Sequence, residues 1–182
     1  MPRRVLLVSG SLRSASTNTA VLRTAAEVAP GGTGCRIYDR LARLPAFDPD
    51  EDRRPLHPEV ELFREAIHEA DAIVFSTPEY AGALPGSLKN LLDWTIGDDQ
   101  VGSIDDKPVG WINASPRGAD GAHAELRTVL GYAHARIIEA ACVRVPVTPT
   151  MIGHAGVIED EPARASVARV LAALARAVHA SG

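Results

Sequence analysis

The chain has 182 residues, 46% hydrophobic and 23% charged, with a formal net charge of -4. That length suits one full-size domain over residues 1–182, and the composition is that of a globular protein rather than a disordered one. A net acidic chain argues against a nucleic-acid partner, which calls for a clustered basic face, and no apolar run approaches the roughly 20 residues of a membrane span. The two cysteines, Cys35 and Cys142, and the six histidines show no metal-ligand spacing. No metal is expected, and a cytoplasmic protein is the default.

In chain order, Met1-Pro2-Arg3-Arg4 leads into Val5–Val8, an apolar run that reads as a strand and is too short for a signal peptide. Thr19–Val28 has helical spacing. Cys35–Tyr38 is a weaker strand. Leu41–His57 is rich in Pro, Asp and Arg and reads as a long irregular loop; loops of that length in compact domains are often functional. Pro58–Ala70 places Val60, Phe63, Ile67 and Ala70 at helical spacing. Then follow strand Ala72–Phe75, helix Leu84–Ile96, strand Val109–Ile112, helix Ala122–Ala133, strand Ala140–Val145 and helix Pro162–Ala180.

The strands are continuous rather than alternating apolar runs, the pattern of a parallel sheet buried on both faces. Five β-α repeats with right-handed crossovers predict an α/β three-layer sandwich with a five-stranded parallel sheet of order 2-1-3-4-5. That order puts Cys35 and Cys142 on opposite edges, about 19 Å apart at about 4.8 Å per strand, too far for a disulfide. Both are expected to be buried small hydrophobes. Leu91 and Trp94 look exposed on the helix Leu84–Ile96 and suggest a homodimer or homotetramer face.

Gly10-Ser11-Leu12-Arg13-Ser14-Ala15-Ser16-Thr17-Asn18 joins the first strand to the first helix. Hydroxyls, a helix N-terminus and an arginine together suit a phosphate. The simpler reading is that Ser16 or Asn18 only caps the helix, which accounts for one polar side chain and not the cluster. A Walker A loop needs a lysine that is missing here. A dinucleotide fingerprint needs three glycines, and this loop has one, so Asp39 is a weak candidate for a ribose-binding acid. A terminal monophosphate fits better than a pyrophosphate.

A second dense stretch runs from Thr77-Pro78-Glu79-Tyr80-Ala81-Gly82 through Pro85-Gly86-Ser87-Leu88-Lys89-Asn90 to Asp93-Trp94. With it, the sequence resembles the NADPH-dependent FMN reductases, a flavodoxin-like family that includes quinone, chromate and azo-dye reductases. Its G-S-L-R-x-x-S-x-N pattern stands at Gly10–Asn18 and its P-E-Y-x-x-x-x-P-G-x-L-K-N-x-x-D-W pattern at Pro78–Trp94. An L-P-x-F-D-P-D loop stands at Leu44–Asp50. The resemblance spans about Arg4 to Val147.

It implies FMN as cofactor, with NADPH or NADH as co-substrate and a small-molecule electron acceptor. Ser11, Arg13, Ser16, Thr17 and Asn18 would hold the phosphate; Pro78, Glu79, Tyr80, Ala81 and Gly82 would line the isoalloxazine, largely through backbone. A third loop, Ala114-Ser115-Pro116-Arg117-Gly118, would reach the ring through Ser115. Pro116 and Arg117 depart from the more glycine-rich loop of many relatives. The strand order points to the same three loops, because ligands of open α/β sheets lie beyond the carboxyl ends of the strands at the switch point. No side chain is assigned a catalytic role. Lys89, Asn90, Asp93 and Trp94 read as structure, and Glu79 as an exposed loop carboxylate. The rival from another class is a flavodoxin-type electron carrier, and a third reading is a flavin-free binder of phosphate ligands.

Overall fold

The structure is a computed structural model that describes residues 3–180; Met1, Pro2, Ser181 and Gly182 lie outside the described residues. Its strands are β1 (Arg3–Ser9), β2 (Thr33–Tyr38), β3 (Ala72–Ser76), β4 (Pro108–Asn113) and β5 (Arg136–Arg144). Its helices are α1 (Thr17–Glu27), α2 (Pro58–His68), α3 (Gly86–Asp93), α4 (Asp120–Tyr132) and α5 (Glu161–His179). All strand pairs are parallel and their order is β2-β1-β3-β4-β5, as the sequence predicts.

The continuous apolar runs are explained by two cores. Leu6, Val8, Ile73, Phe75, Val109 and Trp111 face α2, α3 and α4, whereas Val5, Leu7, Ala72, Val74 and Ile112 face α1 and α5. Successive strand residues point to opposite faces, so both parities must be apolar. Each fully buried Leu, Ile or Phe contributes about 1.5–3 kcal/mol. Helix starts are set by local chemistry. Asp160 Oδ1 accepts from the Ala163 amide at 2.9 Å with Pro162 in the first turn of α5, and His57 Nδ1 accepts from the Glu59 amide at 3.2 Å ahead of Pro58.

Three expectations need correction. First, β5 begins at Arg136 rather than Ala140. It is an edge strand, so residues such as Arg136 and Glu139 can belong to it without being apolar. Its register against β4 also shifts: Val109 pairs with Ile137 but Trp111 with Cys142. The resulting bulge brings Ala141 against Gly110, where a Cβ would lie 2.6 Å from both the Ala141 Cβ and its carbonyl oxygen. Glycine at position 110 is therefore a packing requirement. Second, Cys35 and Cys142 do sit on opposite edge strands as free thiols, but both are only half-buried. Partial burial raises both thiols to about 11, which leaves them as poor nucleophiles.

The third correction concerns α3. Leu91 and Trp94 are each 1% exposed and belong to the core under α2 and α3, so neither forms an external face. What covers Trp94 is the segment 41–57. It contains two 3-10 turns, Leu41–Arg43 and Pro49–Glu51, and folds back over the end of α3. Asn90 Nδ2 and Trp94 Nε1 both donate to the Pro45 carbonyl, at 2.8 and 3.0 Å, and the Phe47 amide donates to Asn90 Oδ1 at 2.7 Å. Phe47 meets the Trp94 ring edge-on at 4.9 Å. Farther along, Asp52 pairs at 2.8 Å with the buried Arg64, whose guanidinium also donates to the Trp94 carbonyl. The second half of the Pro78–Trp94 motif thus fastens a long loop to the body of the protein.

Candidate functional site

Three loops leave the carboxyl ends of β1, β3 and β4, which lie side by side in the sheet. The chain moves outward in opposite directions from β1, to β2 on one side and to β3 on the other, so a crevice opens between the first two loops.

The β1 loop runs into α1. Ser16 Oγ accepts from the Thr19 amide at 3.4 Å and is the N-cap of the helix. The simple reading is therefore right for Ser16, and its hydroxyl hydrogen remains available to a ligand. No acidic residue lies in the first turn of α1, so the positive end of the helix dipole is not complemented from within its own turn. Ser11 Oγ accepts from the Arg13 amide at 3.3 Å, and the Ser11 amide donates to Ser9 Oγ at 3.3 Å. Thr17 is half-buried at the head of the helix. Arg13 is exposed and, among the described residues, its guanidinium makes no ion pair with a carboxylate. Asn18 is buried, and its Oδ1 accepts from Ser76 Oγ at 2.9 Å. It thereby ties α1 to the end of β3, leaving its Nδ2 as the group it can offer a ligand.

The first two loops are pressed together at Gly10. A Cβ there would sit 2.5 Å from Thr77 Oγ1 and 2.8 Å from Leu88 Cδ2. The Gly10 amide donates to the Ser76 carbonyl at 2.8 Å. A lone glycine fails the dinucleotide fingerprint, yet here it permits the close approach of two loops. Gly10 and Thr77 stand in the two motif stretches without an assigned role, and Ser76 was missed; their role in joining the loops rests on contacts between distant segments.

The β3 loop forms a tight hairpin. The Tyr80 amide donates to the Ala83 carbonyl and the Ala83 amide to the Tyr80 carbonyl, both at 3.1 Å. Ala81 and Gly82 between them have φ of 53° and 77°, the signature of a type I′ turn. Pro78 and Glu79 are half-buried, Ala81 and Gly82 exposed, and Tyr80 is 51% exposed. Glu79 departs from the sequence expectation of a free carboxylate: its Oε2 accepts from the Ala122 amide at 3.0 Å and satisfies the first turn of α4. The N-cap of that helix, Ala119, has no side chain to do so. A cap supplied from 43 residues away leaves no local sequence signature.

The β4 loop is held from below by Asn113. Its Oδ1 accepts from the Ser115 amide at 3.0 Å and its Nδ2 donates to the Gly118 carbonyl. Gly118 has φ +114° and Ala119 φ +58°, so the chain turns sharply into α4. Ser115 Oγ accepts from the Arg117 amide at 3.3 Å, while Pro116 and Arg117 are exposed. The structure thus gathers all the sequence-nominated residues into three adjoining loops.

Does the site suit FMN? Arg13, without a carboxylate partner among the described residues, the hydroxyls of Ser11 and Ser16 and the uncomplemented N-terminus of α1 are donors of the kind that suit one dianionic phosphate. Ala81 and Gly82 place no bulky side chain at the exposed tip of the neighbouring hairpin. The donors fit the phosphate of FMN.

Strand order and layers define a flavodoxin-like fold whose first loop carries donors suited to a phosphate. Residues 3–149 match the family model of the NADPH-dependent FMN reductases, and the chain belongs to that family. It is 32% identical over 173 residues to an NAD(P)H-dependent FMN reductase of Pseudomonas aeruginosa, covering 94% of this chain and 92% of the relative. It is 31% identical over 160 residues to a quinone reductase of Pseudomonas putida, covering 86% of this chain and 81% of the relative. Among solved structures, the flavoenzyme NAD(P)H:(acceptor) oxidoreductase of Paracoccus denitrificans superposes with a TM-score of 0.79 at 22% identity, with 98% of each chain covered. At that identity the likeness concerns the fold.

Proposed function

We propose that the chain is a single flavodoxin-like FMN-binding domain over residues 1–182 that oxidises NADPH or NADH and reduces quinones, free flavin or similar small acceptors by ping-pong hydride transfer. The observation that carries this reading is a phosphate-type loop pressed at Gly10 against Thr77 and Leu88, with the small-residue hairpin Tyr80–Ala83 following Thr77 and, among the described residues, no carboxylate paired with Arg13. Family membership agrees with it. Bound FMN supplies the two-electron chemistry.

The protein's own part is positioning. Ser11, Arg13, Ser16, Thr17 and Asn18 anchor the phosphate. Pro78, Glu79, Tyr80, Ala81 and Gly82 would bound the ring, and Ser115 would reach it through its hydroxyl, since the amides of Ser115, Arg117 and Gly118 are engaged by Asn113 Oδ1, Ser115 Oγ and the Ser115 carbonyl. Ala81 and Gly82 carry no bulk, so they would leave room beside the ring for nicotinamide and then acceptor in turn.

The test is rapid mixing of FMN-loaded protein with each nicotinamide, followed by a quinone. Direct bleaching of the flavin absorbance, and parallel lines in double-reciprocal plots, support the proposal. Flavin that stays oxidised with both nicotinamides, yet accepts electrons from a protein reductase, would make the chain a carrier. Protein that takes up no flavin would leave a binder of phosphate ligands.

The reading includes a cytoplasmic location and a homodimer or homotetramer. Among the described residues no helix is long and apolar enough to cross a membrane. With Trp94 buried, one apolar surface that could serve assembly is Ile96, Val101 and Tyr132, which are 56%, 100% and 81% exposed and line one cleft. Sedimentation of wild type and of a Val101→Glu/Tyr132→Glu variant tests this. A wild-type monomer at micromolar concentration counts against assembly, and an unchanged oligomer in the variant counts against this surface.

A further inference from the structure

We infer that the first turns of α4 form a platform that fixes the Tyr80–Ala83 hairpin relative to the flavin ring, with Glu125 as its positioning residue. This rests on the reading that residues 78–82 line that ring.

The hairpin has little to hold it by itself. It closes on two backbone hydrogen bonds, its tip is exposed, and Ala81 occupies a left-handed conformation that favours glycine. A loop that sets the approach of a hydride donor needs tighter restraint than that, within about 0.5 Å. The restraint comes from α4, at three points. Below the hairpin, Glu79 Oε2 accepts from the Ala122 amide at 3.0 Å. Beyond it, Glu125 Oε2 accepts from the Leu84 amide at 2.7 Å. Between these, Gly121 has no Cβ, and the space is taken by the Gly82 carbonyl oxygen.

The exchange is reciprocal. The hairpin lends a carboxylate to a helix amide, and the helix lends a carboxylate to an amide just past the hairpin. Both bonds have a charged acceptor and belong to the stronger class. α4 also continues directly from Gly118 and Ala119, so the same platform joins the β3 loop to the β4 loop. The crevice is therefore shaped before any ligand enters, and it loses that shape when Glu125 lets go.

Three variants of the full chain test this: Glu125→Ala removes the acceptor for Leu84, Glu125→Gln keeps an oxygen in its place, and Gly121→Ala puts a methyl against the Gly82 carbonyl. Gly121→Ala also raises helix propensity, so loss of function there without loss of thermal stability marks a displaced hairpin. The readouts are FMN affinity of the apo-protein by fluorescence titration, hydrogen exchange at the Leu84 amide, melting temperature, and the rate of flavin reduction by NAD(P)H. Expected are about tenfold weaker FMN binding and slower reduction in Glu125→Ala and Gly121→Ala, from one lost charged hydrogen bond or an equivalent displacement. Leu84 should exchange faster in Glu125→Ala, and Glu125→Gln should stay close to wild type.

FMN affinity and reduction rate unchanged in Glu125→Ala overturn the inference, and so does Glu125→Gln behaving as badly as Glu125→Ala. Should Gly121→Ala fail to fold, the Glu125 pair decides. If the wild type binds no FMN, the reading of the site falls by itself. Protection of Leu84 that is lost in Glu125→Ala then still upholds the platform, and protection that persists still refutes it.

Discussion

At the scale of single residues, the first loop separates ligand donors from scaffold. Arg13 is exposed, so Arg13→Ala should weaken FMN binding by about 1.5–3 kcal/mol, the range for a hydrogen bond to a charged group, at little cost to the fold. The melting temperature of the apo-protein should not move. A large drop in melting temperature with FMN affinity intact would make Arg13 structural. Gly10→Ala should behave in the opposite way: with Thr77 and Leu88 already in contact range of the missing Cβ, the added methyl forces the loops apart. A destabilisation of about 1–3 kcal/mol is expected in chemical denaturation, together with weaker FMN binding. The same loop offers donors for one phosphate, so titration should give tighter binding of FMN than of FAD.

Among elements, the division between legible and hidden follows the range of the contacts. All five helices were readable to within three residues at each end, because their core faces repeat at helical spacing and their ends carry local signals such as Asp160 and Pro162. β1, β3 and β4 were readable because both their faces are buried, whereas β2, an edge strand with alternating exposure, showed only from Cys35 onward. The start of β5 was not readable, since one neighbour and a partly wet face do not demand apolar residues. The packing of 41–57 was also hidden, as Asn90 and Trp94 find their partners more than 40 residues away. That made a buried tryptophan look like a surface one. Of the site, the three loops were legible from motifs, and the α4 contacts that hold Glu79 were not. Asn90→Ala tests the fastening role: it removes bonds to Pro45 and Phe47 and should lower stability by about 2–3 kcal/mol in denaturant unfolding. FMN affinity of the folded protein should change far less. A selective loss of FMN affinity would instead place Asn90 in the binding site.

For the whole molecule, Lys107 gives stability a pH dependence. Its side chain is buried, its Nζ donates to the Ala70 carbonyl at 2.6 Å, and desolvation pushes its pKa down to about 8 from an ordinary 10.5. The folded value lies below the unfolded one, so between pH 8 and 10.5 the unfolded chain binds more protons, and stability rises with pH there. Below pH 8 the cost of the buried ammonium is fully present. Relative to Lys107→Met, which cannot titrate, the wild-type melting temperature should therefore gain between pH 8 and 10. A constant difference across that range would mean that Lys107 keeps its proton at the ordinary value.

The bulge that sets Ala141 against Gly110 also bears on how the molecule behaves in a crowd. β5 is the outer strand beside β4, and an outer strand presents free amides and carbonyls on which another chain could add itself. The three extra residues between Ile137 and Cys142 break that row of groups in the middle of the strand. Charged side chains stand along it as well: Arg136 beside Asp106, Glu139 gripped by Arg127, and Arg144 at the end. A straight, regular β5 would have been a template for uncontrolled strand addition. The kinked one lets the sheet stop at five strands, so the irregularity works as protection against aggregation.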